Sequence, residues 1–196
     1  MAHRTIRPGY QQLVTRLNRF PQGAPPSDVL YGILKMLFSE REAGLVALLP
    51  VKPFTVQKAT QRWKMDLTRA QRVLDELASR AILLDVVGSQ GQQLYLLPPP
   101  MAGFFEFSMM RIRGDIDQKA LAELYYQYMN VEEEFIKALF THGETQLGRV
   151  YVQEAALSQD NELHVLDYER ASEVINNATH RGISLCYCRH KMEHVG

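Results

Sequence analysis

The chain has 196 residues, 46% hydrophobic and 22% charged, with 22 basic and 22 acidic side chains. That is enough apolar material for one good core or two small ones. No run approaches the roughly 18 apolar residues of a spanning helix, because charged triplets at Glu40, Arg41 and Glu42 and at Glu132, Glu133 and Glu134 interrupt the longest candidates, so no membrane span is expected.

The neutral total conceals an asymmetry. Residues 1–80 carry 13 Lys or Arg against 6 Asp or Glu, and the remainder carries the opposite excess. A basic first half favours a polyanion or the acidic half of a second copy. Residues 1–26 hold Arg4, Arg7, Arg16 and Arg19 among Pro8, Pro21, Pro25 and Pro26, and contain no apolar core of a secretion signal. They read as a loosely ordered basic arm.

Ser27 and Asp28 offer a cap for a first helix through Val29, Leu30, Ile33, Leu34, Leu37 and Phe38. Ser39 with Glu42 forms a capping box that opens a second helix, which Pro50 ends. Thr55 caps a third through Val56, Ala59 and Trp63, and Lys64-Met65-Asp66 turns into a fourth over about 68–80. In that fourth helix Ala70, Val73, Leu74 and Leu77 make one apolar stripe, so Arg69 and Arg72 face elsewhere. The β-rich runs 82–87 and 92–97, joined across Gly88-Ser89-Gln90-Gly91, predict a hairpin.

The predicted fold class is mainly α with a small β hairpin. The order of helices, turn and hairpin over 27–100 resembles winged helix-turn-helix domains. Such a domain implies DNA contact through Thr68, Arg69, Gln71 and Arg72 near base edges and Lys58, Arg62 and Lys64 near phosphates. Winged helices also serve as protein-docking modules, and Asp75 and Glu76 oppose a nucleic-acid groove. Residues 101–116, rich in Phe and Met, read as an apolar connector between domains.

The remaining region, 117–196, is expected to be helical or α+β. A long helix over about 117–140 carries Leu121, Leu124, Tyr125, Tyr128, Phe135, Ile136 and Leu139 on one side. A strand is expected at 149–152, and a helix over 168–178 with Ala171, Val174 and Ile175 on its apolar face.

The chain ends in a chemically dense segment. Cys186 and Cys188 are its only cysteines, and a disulfide across so short a loop would be strained, which points to the cytoplasm. Soft thiolates bind iron–sulfur clusters and zinc, and alternate residues of an extended segment point the same way. His190 and His194, spaced i, i+4, would complete a compact four-donor set with the cysteines as an alternative zinc site. A cysteine nucleophile would need a base and a group to orient that base. The sequence supplies no orienting group, so no catalytic residue is assigned.

Two stretches carry a resemblance: Gly103-Phe104-Phe105-Glu106-Phe107 with Met110-Arg111, and 186–194, reading Cys-Tyr-Cys-Arg-His-Lys-Met-Glu-His. Both resemble winged-helix-fronted, ferredoxin-like four-iron four-sulfur proteins. The resemblance implies that Cys186 and Cys188 are two thiolate ligands of a 4Fe–4S cluster, with Arg189, His190 and His194 as hydrogen-bond donors around it. It also implies further cysteines after Gly196. This sequence has none, so the expectation is a truncated chain, with ligands shared between two copies as the alternative. The implied activity is electron transfer or redox sensing with a redox partner protein or a second copy, most simply a homodimer. The alternative is a DNA-binding regulator responsive to metal or oxidant, and the plainest reading is a dimeric scaffold with idle thiols.

Overall fold

A computed structural model of the chain describes residues 7–20, 22–141 and 168–196. It is mainly helical with one two-stranded antiparallel sheet among the described residues. The helices are α1 Pro8–Leu17, α2 Asp28–Leu37, α3 Glu40–Ala47, α4 Val56–Trp63, α5 Leu67–Ser79, α6 Gln118–Tyr126, α7 Glu134–Thr141, α8 Tyr168–Asn177 and α9 Tyr187–Val195. The strands are β1 Leu84–Val87 and β2 Gln93–Leu96. None of the described helices is long and apolar enough to cross a membrane. The strand expected at 149–152 lies outside the described residues.

Caps set the helix starts where the sequence places them. Ser27 accepts a hydrogen bond from the Leu30 amide at 3.1 Å, and Ser39 and Glu42 close a reciprocal box at the start of α3. Lys64 takes a left-handed conformation at φ 50° to end α4, and Asp66 accepts from the Arg69 amide at 2.8 Å to open α5. The hairpin pairs Leu84 with Leu96 and Val87 with Gln93. On the other side of β2, the Phe54 and Tyr95 backbones exchange two hydrogen bonds at 2.8 and 2.9 Å.

The loosely ordered arm is corrected from residue 8 onward. Tyr10, Leu13, Val14 and Leu17 recur at helical spacing and bury one face of α1 against α3. The two helices cross closely at Gly9, where an added Cβ would meet the Glu40 carbonyl oxygen at 2.4 Å. The buried Arg16 guanidinium donates to the Leu49 and Pro50 carbonyls at 2.9 and 2.6 Å, satisfying acceptors at the end of the α3 segment. Flanking prolines and arginines mask this pattern in the sequence, where Arg16 adds to the basic charge although it is a buried cap.

The long helix expected over 117–140 is also corrected. It breaks into α6 and α7 around a widened turn at Gln127–Val131, where the Glu132 amide reaches back to the Gln127 carbonyl at 2.9 Å. Across the break Tyr128 and Phe135 are both buried while Ile136 is exposed. Tyr128 donates to the Pro25 carbonyl at 2.8 Å, tying this turn to the segment before α2.

Buried side chains from Tyr10 to Tyr187 join one contiguous core. Residues 101–116, expected as a connector, supply its centre through Phe104, Phe105 and Met109. Gln118 holds the far end of that segment, donating to the Ser108 and Arg111 carbonyls at 3.2 and 2.9 Å and accepting from the Arg113 amide at 2.9 Å.

If α1 belongs to the cooperative core, Leu13→Ala lowers unfolding free energy by about 2–5 kcal/mol in a denaturant titration. A change below about 0.5 kcal/mol, typical of a surface substitution, would return α1 to the status of an arm.

Candidate thiol and imidazole site on helix α9

Helix α9 packs against α6. Its inward residues Tyr187, His190 and Lys191 lie at i, i+3 and i+4, the spacing of one helical face. Each has a fixed partner. The Tyr187 hydroxyl points to the Met129 sulfur at 3.2 Å, and its ring packs edge-on against Tyr125 with centroids 6.3 Å apart. Lys191 Nζ donates to Asn130 Oδ1 at 3.2 Å and lies 5.9 and 5.7 Å from the ring centroids of Tyr126 and Tyr187. Burial holds the lysine below its usual pKa and raises that of the Tyr187 phenol.

His190 is 9% exposed, with Nδ1 2.7 Å from the Met109 carbonyl oxygen. A carbonyl only accepts, so Nδ1 carries the proton and Nε2 presents its lone pair. His194 Nε2 lies 3.2 Å from that nitrogen. In this neutral pair the hydrogen between the two rings therefore belongs to His194.

Cys186 and Cys188 are free and exposed. The extended Cys-x-Cys segment expected from the sequence is corrected here. Cys186 is the extended N-cap at ψ 115°, whereas Cys188 already lies in the first turn of α9. The helix starts this early because Tyr187 and Lys191 find partners on α6 and the turn after it, and His190 on the Met109 carbonyl. The two thiols nevertheless line one open groove of about 390 Å³ with Glu106, Met110, Ser184 and Leu185. The Leu185 amide donates to the Met110 carbonyl at 2.8 Å, fixing the approach to the helix.

First-turn amides of a helix lack intrahelical acceptors, so this end of α9 favours an anionic ligand. Arg189 is exposed in the same turn. Among the described residues, no group of three or more His, Cys, Asp or Glu side chains gathers to hold a metal.

Of the predicted nucleic-acid set, Lys58, Arg62, Lys64, Thr68, Arg69 and Arg72 are exposed along α4, the turn and α5. Gln71 is otherwise engaged, donating to Asp75 Oδ1 at 2.8 Å and to the Tyr95 hydroxyl at 2.5 Å. Tyr95 in turn donates to Asp75 Oδ1 at 2.6 Å. Its phenol is pushed up to about 12 by burial and by that carboxylate. This cluster pins β2 to α5 and occupies one of the two acids that face outward.

Sequence reasoning found the cysteines and histidines but missed Met109, Asn130 and Tyr95. A backbone carbonyl 81 residues away from the imidazole that it orients leaves no mark in composition or spacing.

Two exposed thiols predict that a disulfide-exchange reagent titrates two groups per reduced native chain in one rapid phase. A thiol that reacts only after denaturant is added would place it in the core instead.

No protein-family model matches the sequence, and neither a curated protein nor a solved structure matches it.

Proposed function

We propose that this chain binds an iron–sulfur cluster for electron transfer or redox sensing in the cytoplasm, with Cys186 and Cys188 as two of the thiolate ligands. The observation that carries the reading is the placement of both free thiols in one groove at the N-terminus of a helix whose other face is clamped to the core. Such a mounting holds soft ligands on a rigid element while leaving them open to a metal and to a docking partner. The resemblance of Gly103–Arg111 and 186–194 to ferredoxin-like four-iron four-sulfur proteins points the same way.

A cubane cluster takes four thiolates, and this sequence contains two cysteines. The residues present therefore fit half of the ligand set, and a second copy of this chain supplies the other two thiolates. Arg189 sits beside the thiols as a hydrogen-bond donor, the kind of group that tunes cluster potential. His190 already donates to the Met109 carbonyl, so its contribution is to fix the helix.

Anaerobic incubation with iron and sulfide tests the assignment. The parent chain should turn brown and retain iron after desalting, while the Cys186→Ala, Cys188→Ala double variant should remain colourless. Equal iron in both proteins, or none in the parent, would remove the cluster from this chain.

A second reading is favoured by the Tyr95–Asp75–Gln71 cluster. We read 27–100 as a winged helix-turn-helix, with α5 presented to a DNA groove and the hairpin as its wing. Pairing Asp75 with Tyr95 removes part of the acidic opposition to a polyanion, and six of the seven proposed contact residues are exposed. If Lys58 and Arg62 each meet a phosphate, their joint replacement by Ala should reduce the slope of log affinity against log salt by roughly 1.8. Fluorescence anisotropy on a labelled duplex measures it, and an unchanged slope assigns the basic face to a protein partner.

A further inference from the structure

We propose that His190 and His194 form a metal site of their own, a two-imidazole chelate for one borderline divalent cation of the zinc class. This site goes beyond the cluster assignment and does not depend on it. The first support is the bite. The two Nε2 atoms are 3.2 Å apart, and two imidazole nitrogens bound to one tetrahedral zinc at about 2.0–2.1 Å lie roughly 3.4 Å apart. Conversion from a hydrogen bond to a chelate opens that separation by a few tenths of an ångström and turns the His194 ring until its Nε2 lone pair and that of His190 converge on the cation. The rings already sit 4.8 Å apart at 52°, neither stacked nor turned away.

The second support is the orientation of His190. Its Nδ1–H is held by the Met109 carbonyl at 2.7 Å. Metal-binding histidines commonly have this arrangement, in which a backbone carbonyl selects the tautomer and aims the opposite nitrogen. That carbonyl is itself positioned, because the buried Gln118 donates to the flanking Ser108 and Arg111 carbonyls. The lone pair of His190 Nε2 is thus directed before any cation arrives.

His194 completes the donor set by a change of tautomer. Its proton leaves Nε2 for solvent and Nδ1 takes one up, so both rings stay neutral and the cation replaces one hydrogen with no net proton release. His194 is only partly buried, which gives a cation entry and leaves room for water at the remaining coordination positions. Imidazole selects zinc, copper, nickel or cobalt over magnesium or calcium. The thiols do not join the two rings in a group of three donors.

Zinc(II) competition against a chromophoric chelator tests the site, using the full chain carrying Cys186→Ser and Cys188→Ser so that no thiol contributes. This chain should bind one zinc, and adding His194→Ala or His194→Gln should weaken binding at least tenfold. Saturating zinc should raise the melting temperature of the thiol-free chain and leave that of both His194 variants unchanged. The Gln variant keeps a polar contact to His190, so a loss shared by both variants reports on coordination. Equal zinc affinity with and without His194 overturns the proposal, as does a thiol-free chain that binds no zinc. Cluster uptake by the parent chain is read separately from iron, so failure of one assignment leaves the other standing.

Discussion

Phe105 has no exposed surface, and its ring meets those of Phe104, Tyr125, Tyr128 and Phe135 at centroid distances of 5.1, 5.3, 5.9 and 5.7 Å. Each such aromatic pair contributes about 0.5–1.5 kcal/mol beyond the area it buries. The cluster joins parts of the chain that sequence patterning assigns to different domains. Phe104 passes the contact to Phe38 after α2, and Tyr125 passes it to Tyr187 on α9. The chemistry-bearing helix is therefore positioned by the same ring that joins the two halves. Met109 and Met110, whose carbonyls hold His190 and Leu185, lie within one short segment of Phe105.

This dependence explains the broken helix. A regular helix from 118 to 141 would hold the Tyr125 and Phe135 backbones about 15 Å apart along its axis, whereas both rings lie within 5.7 Å of Phe105. The widened turn at Gln127–Val131, ended by the non-helical Glu132, interrupts that straight line. Asn130 lies in that turn and receives Lys191, so the distortion that completes the aromatic cluster also creates an acceptor for α9.

Local rules made much of the first hundred residues legible. Ser27 and the Ser39–Glu42 box start helices where capping chemistry predicts, Asp66 of the expected turn caps α5, and Leu30, Ile33, Leu34, Leu74 and Leu77 are buried as their periodicity requires. The errors share a cause, which is that long-range partners overrode local signals. Arg16, placed in the expected basic arm, instead satisfies the Leu49 and Pro50 carbonyls 33 and 34 residues away. Periodicity also failed in the other direction, since Val174 and Ile175 of α8 are 60% and 57% exposed among the described residues. At the site, residue types were legible and geometry was not. Cys-x-Cys suggested an extended loop because nothing local announces that Tyr187 and Lys191 will be captured by α6 and the turn beyond it.

The inward face of α9 is unusually polar for a helix fixed to a core. His190 and Lys191 are both buried beside Tyr187, and an unpaired polar group in such a position costs about 1–3 kcal/mol. Apolar residues would hold the helix with less dependence on exact register. With His190 bound to one carbonyl and Lys191 to one amide oxygen, a rotation or one-residue slip of α9 would strand two donors at once. The polar face therefore specifies one register even where it adds little net stability. That register keeps Cys186 and Cys188 in the groove beside Glu106 and Met110 while the two imidazoles meet on the side of Met109. A single short helix thus presents two donor chemistries in fixed directions, and the groups that fix it lie up to 81 residues away in sequence.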